Sequence, residues 1–144
     1  MLIYMEKVLI FKTASDAIME RLFTELQSLQ CEKICLIQTS LKDIYQKKYP
    51  YILFIDIEKE GFYEIPKEVL LLVQKMKINK IYIPTTGVRA INFGNIIELC
   101  NKLCYKELIF YNSNGEESIV RKKGAFVEWL IKIYIGLIEL LYRK

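Results

Sequence analysis

The amino-acid sequence predicts an α/β fold: a three-layer αβα sandwich around a five-stranded, mainly parallel sheet in the order 3-2-1-4-5. Three observations predict it. Five apolar runs of four to six residues alternate strictly with five helix-like segments. The runs are nearly continuous in Ile, Val, Leu, Phe and Tyr, the pattern of strands covered on both faces. The connections are short, and right-handed crossovers between parallel strands then place helices on both sides of the sheet. The strand order is the usual one for the Rossmann-like arrangement, whose doubly wound plan flavodoxin-like folds share. The 144 residues, 53% of them hydrophobic, suit one domain with a real core.

The elements follow in order. Lys7–Lys12 (KVLIFK) is the first strand, and Thr13-Ala14-Ser15-Asp16 leads from it into a helix over Asp16–Leu29. Ser15 or Asp16 is the expected helix cap. Lys33–Gln38 (KICLIQ) is the second strand and Leu41–Lys48 the second helix; Tyr51–Asp56 (YILFID) is the third strand. The helix over Pro66–Lys77 carries Pro66 in its first turn, where a missing N–H costs nothing. Lys80–Ile83 is the fourth strand, followed by the loop Pro84-Thr85-Thr86-Gly87-Val88-Arg89 and a helix over Asn92–Cys104. Glu107–Tyr111 is the fifth strand. Asn112-Ser113-Asn114-Gly115 reads as a turn, and Ser118–Lys122 as a short antiparallel addition at the sheet edge. Ala125–Arg143 is the last helix. Residues 1–144 form a single domain in this reading, with 121–144 a basic, strongly apolar helical segment.

Composition excludes several chemistries. The chain has no histidine, which removes Ser-His-Asp and Cys-His catalysis, His-ligated metals and imidazole pH switching. The four cysteines, Cys31, Cys35, Cys100 and Cys104, form two C-x3-C pairs on regular elements. Structural zinc sites favour C-x2-C on tight turns, and free cysteine is among the most buried residue types, so no metal is expected. Neither G-x-G-x-x-G nor a Walker lysine motif occurs, and no cofactor is expected. The first residues lack a basic segment ahead of a long apolar run. No uncharged stretch reaches the ~18 residues of a membrane span. The chain therefore reads as cytoplasmic with reduced thiols.

The net charge of +4 is unevenly placed. Six basic and two acidic residues lie from Arg121 onward, so the first 120 residues carry fifteen of each sign. A neutral domain thus bears a basic tail. No basic groove interleaved with aromatics is evident, and nucleic acid is not an expected partner.

In sheets of this order ligands sit beyond the carboxyl ends of the strands, where the order reverses between strands 1 and 4. The candidate ligand-binding residues there are Thr13 and Ser15 from the first loop, and Thr85, Thr86, Gly87 and Arg89 from the second. Free N–H groups at a helix start, with Arg89 as a bidentate partner, would suit a phosphate; an ordinary strand-to-helix turn would use the same residues for capping. Asp16 is the candidate catalytic base, or a first-turn acid favoured by the helix dipole. Asp56 and Glu58, at the end of the third strand, could meet a hard cation or simply solvent.

The last helix is the most distinctive feature. Glu128, Lys132, Glu139 and Arg143 follow one another in steps of 4, 7 and 4 and share one stripe with Gly136. Almost every other position is apolar, whereas a helix lying on one side of a sheet needs an apolar stripe only somewhat wider than ~100°. The surplus must be covered by the sheet and neighbouring helices, by a partner chain or second copy, or by a membrane surface. Trp129, Ile133 and Leu137 are the candidate interface residues. The preceding Arg121-Lys122-Lys123 would suit anionic headgroups, making peripheral membrane contact the other option.

The stretch Lys7–Leu29 resembles the opening of ADP-heptose-type glycosyltransferases of the GT-B fold: a strand, a short loop ending in Gly-Asp and an amphipathic helix. Ser15-Asp16 stands here where those enzymes have Gly-Asp, and the resemblance implies that Asp16 is a catalytic base. IYIPTTGVRAINFGNIIELC and ELIFYNSNG resemble later parts of the same half-domain. The nucleotide-sugar-binding half has no counterpart in these 144 residues. The resemblance therefore implies a glycosyltransferase-like half-domain in bacterial cell-surface polysaccharide biosynthesis, working with a partner chain or at a membrane. A second resemblance is to receiver domains. Asp56 and Thr85 or Thr86 fall at their phosphoacceptor and switch positions. Their acidic pair and lysine are replaced by Thr13-Ala14 and Asn112-Ser113, which argues against phosphoryl transfer. The alternative to the enzyme reading is a non-catalytic module of the same fold that binds a protein partner or dimerises through its last helix.

Overall fold

Each apolar run forms a strand, and each intervening segment a helix. A computed structural model describes residues 5–59, 62, 65–86, 94–103, 105–121 and 125–142, with the side chains of 94–95, 121, 125–132 and 142 outside that description. The strands are β1 (Glu6–Phe11), β2 (Cys31–Ile37), β3 (Leu53–Asp56), β4 (Lys80–Pro84), β5 (Glu107–Tyr111) and β6 (Glu117–Arg121). The helices are α1 (Asp16–Gln27), α2 (Lys42–Lys48), α3 (Lys67–Lys75), α4 (Gly94–Asn101) and α5 (Ala125–Tyr142), with a 3-10 turn over Thr39–Leu41 before α2.

The sheet runs β3-β2-β1-β4-β5-β6. The first five strands are parallel, and β6 pairs antiparallel with β5. The predicted order 3-2-1-4-5 is thus observed, extended to six strands by the edge strand expected near Ser118–Lys122.

The order decides the layers. From β1 to β3 the chain steps outward in one direction, and from β3 to β5 it crosses back and continues in the other. Right-handed crossovers then put α1 and α2 on one face and α3 and α4 on the opposite one. Side chains on successive strand residues point to opposite faces, so each central strand feeds both cores. Val8 and Ile10 of β1 pack with Ile18, Met19, Leu22, Phe23 and Leu26 of α1. Leu9 and Phe11 pack with Val69 and Val73 of α3 and with Ile96 and Cys100 of α4. Cys35 and Ile37 join the first core, and Ile34 and Leu36 the second. Four aromatic rings, Phe23, Tyr45, Tyr49 and Phe54, close the α1–α2–β3 corner with centroid separations of 4.8 to 6.4 Å. At the amino ends of the strands the backbone of Asn79 takes the place of a further ladder rung. Its N–H donates to Lys7 O at 2.9 Å, and its side chain accepts from Lys7 N at the same distance.

Local departures from expectation have physical causes. Cys31 lies inside β2, which starts earlier because Glu6 and Lys7 of β1 extend the ladder to meet it. Tyr51 and Ile52 belong to the turn before β3, closed by Ile52 N–H donating to Tyr49 O. Pro66 sits one residue before α3, in extended backbone at the cap position. Ser15 also takes a cap position, but its side chain makes no capping hydrogen bond.

The β5–β6 turn depends on Gly115, whose φ of +77° is in the left-handed region. Its Cα lies over the Arg21 guanidinium: an added Cβ would sit 3.2 Å from Arg21 Cζ. Arg21 in turn donates to Ser113 O at 3.3 Å, tying the turn to α1. Gly115→Ala is expected to lower stability by about 1–2 kcal/mol, the cost of left-handed backbone for an L-residue. Urea denaturation of the purified variant measures it.

Candidate functional site

The crevice at the order reversal is built by the carboxyl ends of β1 and β4. Parallel pairing of β1 with β4 brings Lys12-Thr13-Ala14-Ser15-Asp16 alongside Pro84-Thr85-Thr86. The two loops bond each other across it. Thr13 Oγ1 donates to Pro84 O at 2.5 Å, and Ser15 N–H donates to Thr86 Oγ1 at 3.1 Å. Thr85 is buried at 2% exposure, with its N–H donating to Tyr111 O at 2.7 Å. The predicted residues Thr13, Ser15, Thr85 and Thr86 are thus brought together, and much of their polar capacity is spent in stitching the loops. Gly87 and Arg89 lie outside the described residues.

Asp16 opens α1, with its side chain largely exposed. Tyr45 Oη donates to its Oδ1, and Lys12 Nζ lies 3.8 Å away. Lys12 is the better-buried member, its side chain 12% exposed. It donates to Ala14 O at 2.6 Å and stands 5.9 Å from the centre of the Tyr45 ring. Burial pushes the Tyr45 hydroxyl well above the ordinary range, and its donation to Asp16 adds to this. Beneath them, burial pushes the Cys35 thiol up, with Lys12 opposing more weakly; such a thiol is a packing residue, not a nucleophile.

Lys12 and Tyr45 are the members that sequence reasoning did not reach. Lys12 is the polar end of an apolar run, a recognisable position at a strand tip. Tyr45 reaches Asp16 only through the packing of α2 on α1, which no local pattern encodes.

Asp56 and Glu58 do not converge. Asp56 Oδ1 accepts from Thr39 Oγ1 at 2.7 Å and from Glu58 N–H at 2.6 Å, closing the turn after β3. Glu58 holds a left-handed φ of 60° there. Among the described residues no group of three or more Cys, Asp or Glu could hold a metal ion; Cys104 lies outside them. A groove of about 360 Å³ opens at the other end of the sheet, lined by Lys7, Glu32, Lys33, Ile34, Tyr51, Leu53 and Met76. It is remote from the strand carboxyl ends where such folds take ligands.

The predicted interface helix is described over 133–141, where every residue is exposed. Ile133 is 41% exposed and Leu137 55%, rising to 81% at Leu141. Nine consecutive positions sweep the helix circumference more than twice, so the domain buries no face of this stretch. Over 133–141 the cover by the chain's own sheet and helices, one of those the sequence left open, is not formed. The side chain of Trp129 lies outside the described residues. No helix among the described residues is long and apolar enough to cross a membrane.

No known family model, characterised protein or solved structure matches the chain. Its fold is a mixed α/β sandwich of the general Rossmann-like kind, with nothing that ties it to GT-B enzymes or to receiver domains.

The Asp56 turn makes a pH prediction. Chiefly the hydrogen bond from Thr39, with that from Glu58 N–H, holds the Asp56 carboxyl below its ordinary 3.8. A depressed folded value contributes stability that is present above the unfolded pKa and lost as pH falls through the folded one. The stability advantage of the natural chain over Asp56→Asn is therefore expected to shrink as pH is lowered from 5 to about 3. Urea midpoints at each pH measure it, and a constant difference would contradict it.

Proposed function

We propose that this chain is a non-catalytic interaction module, an α/β scaffold that displays α5 as its docking element and self-associates through it. One observation carries the reading: seven of the nine residues over 133–141 are apolar, and all nine are exposed. Apolar surface returns roughly 25 cal/mol per Å² when removed from water, and contiguous patches of this kind mark interaction sites. The state of the crevice supports the same reading. The Thr13 hydroxyl and the Ser15 N–H bond the opposite loop, and the Asp16 carboxylate already accepts from Tyr45.

A glycosyltransferase-like half-domain is supported by the place of Asp16 at the order reversal alone. The two readings separate cleanly. An enzyme loses activity on Asp16→Asn and keeps its oligomeric state; an interaction module loses association when α5 is made polar and is indifferent to Asp16.

Sedimentation velocity over a range of concentrations is the test. The intact chain is expected to show a concentration-dependent dimer. Ile133→Gln with Leu137→Gln keeps helix propensity and leaves the cores untouched; it is expected to weaken the dimer tenfold or more, about 1.4 kcal/mol, with unchanged far-UV circular dichroism. A dimer unaffected by both substitutions would overturn the assignment to α5.

A further inference from the structure

We propose that two copies of α5 pack antiparallel about a twofold axis beside Gly136, so that each copy covers the Ile133–Gly136–Leu140 stripe of the other. The inference rests on the interaction reading above and names its partner as a second copy of this chain.

The sequence of α5 contains a heptad seam. Phe126, Trp129, Ile133, Gly136 and Leu140 follow in steps of 3, 4, 3 and 4, the a and d spacing of paired helices. Of these, Ile133 and Leu140 are described with their side chains exposed, at 41% and 66%. Positions 132 and 139 both precede an a position and so flank the seam on the same side. They hold Lys132 and Glu139, of opposite charge.

Direction follows from that pairing. In an antiparallel pair, flanking positions of this class face one another across the axis. The register that sets Ile133 against Gly136 of the second copy also sets Lys132 against the second copy's Glu139. Symmetry repeats the contact, giving two opposite-charge pairs. A parallel pair would set Lys132 against Leu137 of the second copy and give the cation no opposite charge across the interface. The self-complementarity is that of an isologous twofold interface, which closes at two copies and does not propagate.

Gly136 supports the same geometry. Its position in a helix interior costs stability in a lone helix. Among the described residues nothing outside the helix's own backbone lies within 4 Å of where its Cβ would stand, so they do not demand a glycine there. Opposite Ile133, beside the axis, the missing side chain lets the two backbones approach.

Charge reversal tests direction and partner together on the full-length chain. Lys132→Glu and Glu139→Lys each turn both pairs repulsive, and each is expected to self-associate about tenfold more weakly, two surface pairs being at stake. Mixed one to one, the two variants present only opposite charges to each other, and the mixture is expected to regain the natural affinity. The chain carrying both substitutions is expected to do the same alone. This second variant guards against a single substitution that merely loosens the helix, whose content far-UV circular dichroism reports. A mixture no tighter than its components would overturn the antiparallel pairing; the interaction reading would stand if Ile133→Gln with Leu137→Gln still dissolved the dimer. A natural chain that stays monomeric and instead sediments with vesicles containing phosphatidylglycerol would overturn both.

Discussion

The handedness of the strand crossovers is the constraint on which the rest of this structure depends. Because the order reverses at β1, right-handed connections send α1 and α2 to one face and α3 and α4 to the other. That allocation makes β1 the common wall of two cores, with Val8 and Ile10 serving one and Leu9 and Phe11 the other. The antiparallel edge strand leaves Ile119 and Val120 exposed, and the helix after it is exposed over 133–141.

The same reversal creates the crevice between β1 and β4, where ligands of such sheets usually sit. Here its two loops are knitted by Thr13, Ser15 and Thr86, and its one prominent carboxylate is engaged by Tyr45. These contacts hold the carboxyl ends of the central strands together. The described polar groups of the two loops thus support the fold.

Much of the fold was legible because its determinants are local. Continuous apolar strands, short connections and a charged last stripe all survive in a one-dimensional pattern, and handedness then supplies the layers. The strand order and edge strand came out as expected for that reason. What was not legible depends on distant pairing. Ser15 looks like a helix cap, yet its N–H goes to Thr86, which is a neighbour only through the register of β1 with β4. Tyr45 meets Asp16 only because α2 packs beside α1. Asp56 and Glu58 look like paired carboxylates, but Asp56 is taken up by Thr39, which β2–β3 pairing delivers. The unusual circumference of α5 was visible in sequence; that the domain does not cover it over 133–141 required the structure.

The central claim is that α5 finds its cover on a second copy. Trp129 is the only tryptophan in the chain and stands in the proposed seam, so its fluorescence reports that cover directly. Emission recorded from nanomolar to high micromolar chain should shift to shorter wavelength as the indole leaves water, along the same concentration curve as the mass increase. An emission maximum that does not move with concentration while the mass doubles would place the contact elsewhere and contradict the account.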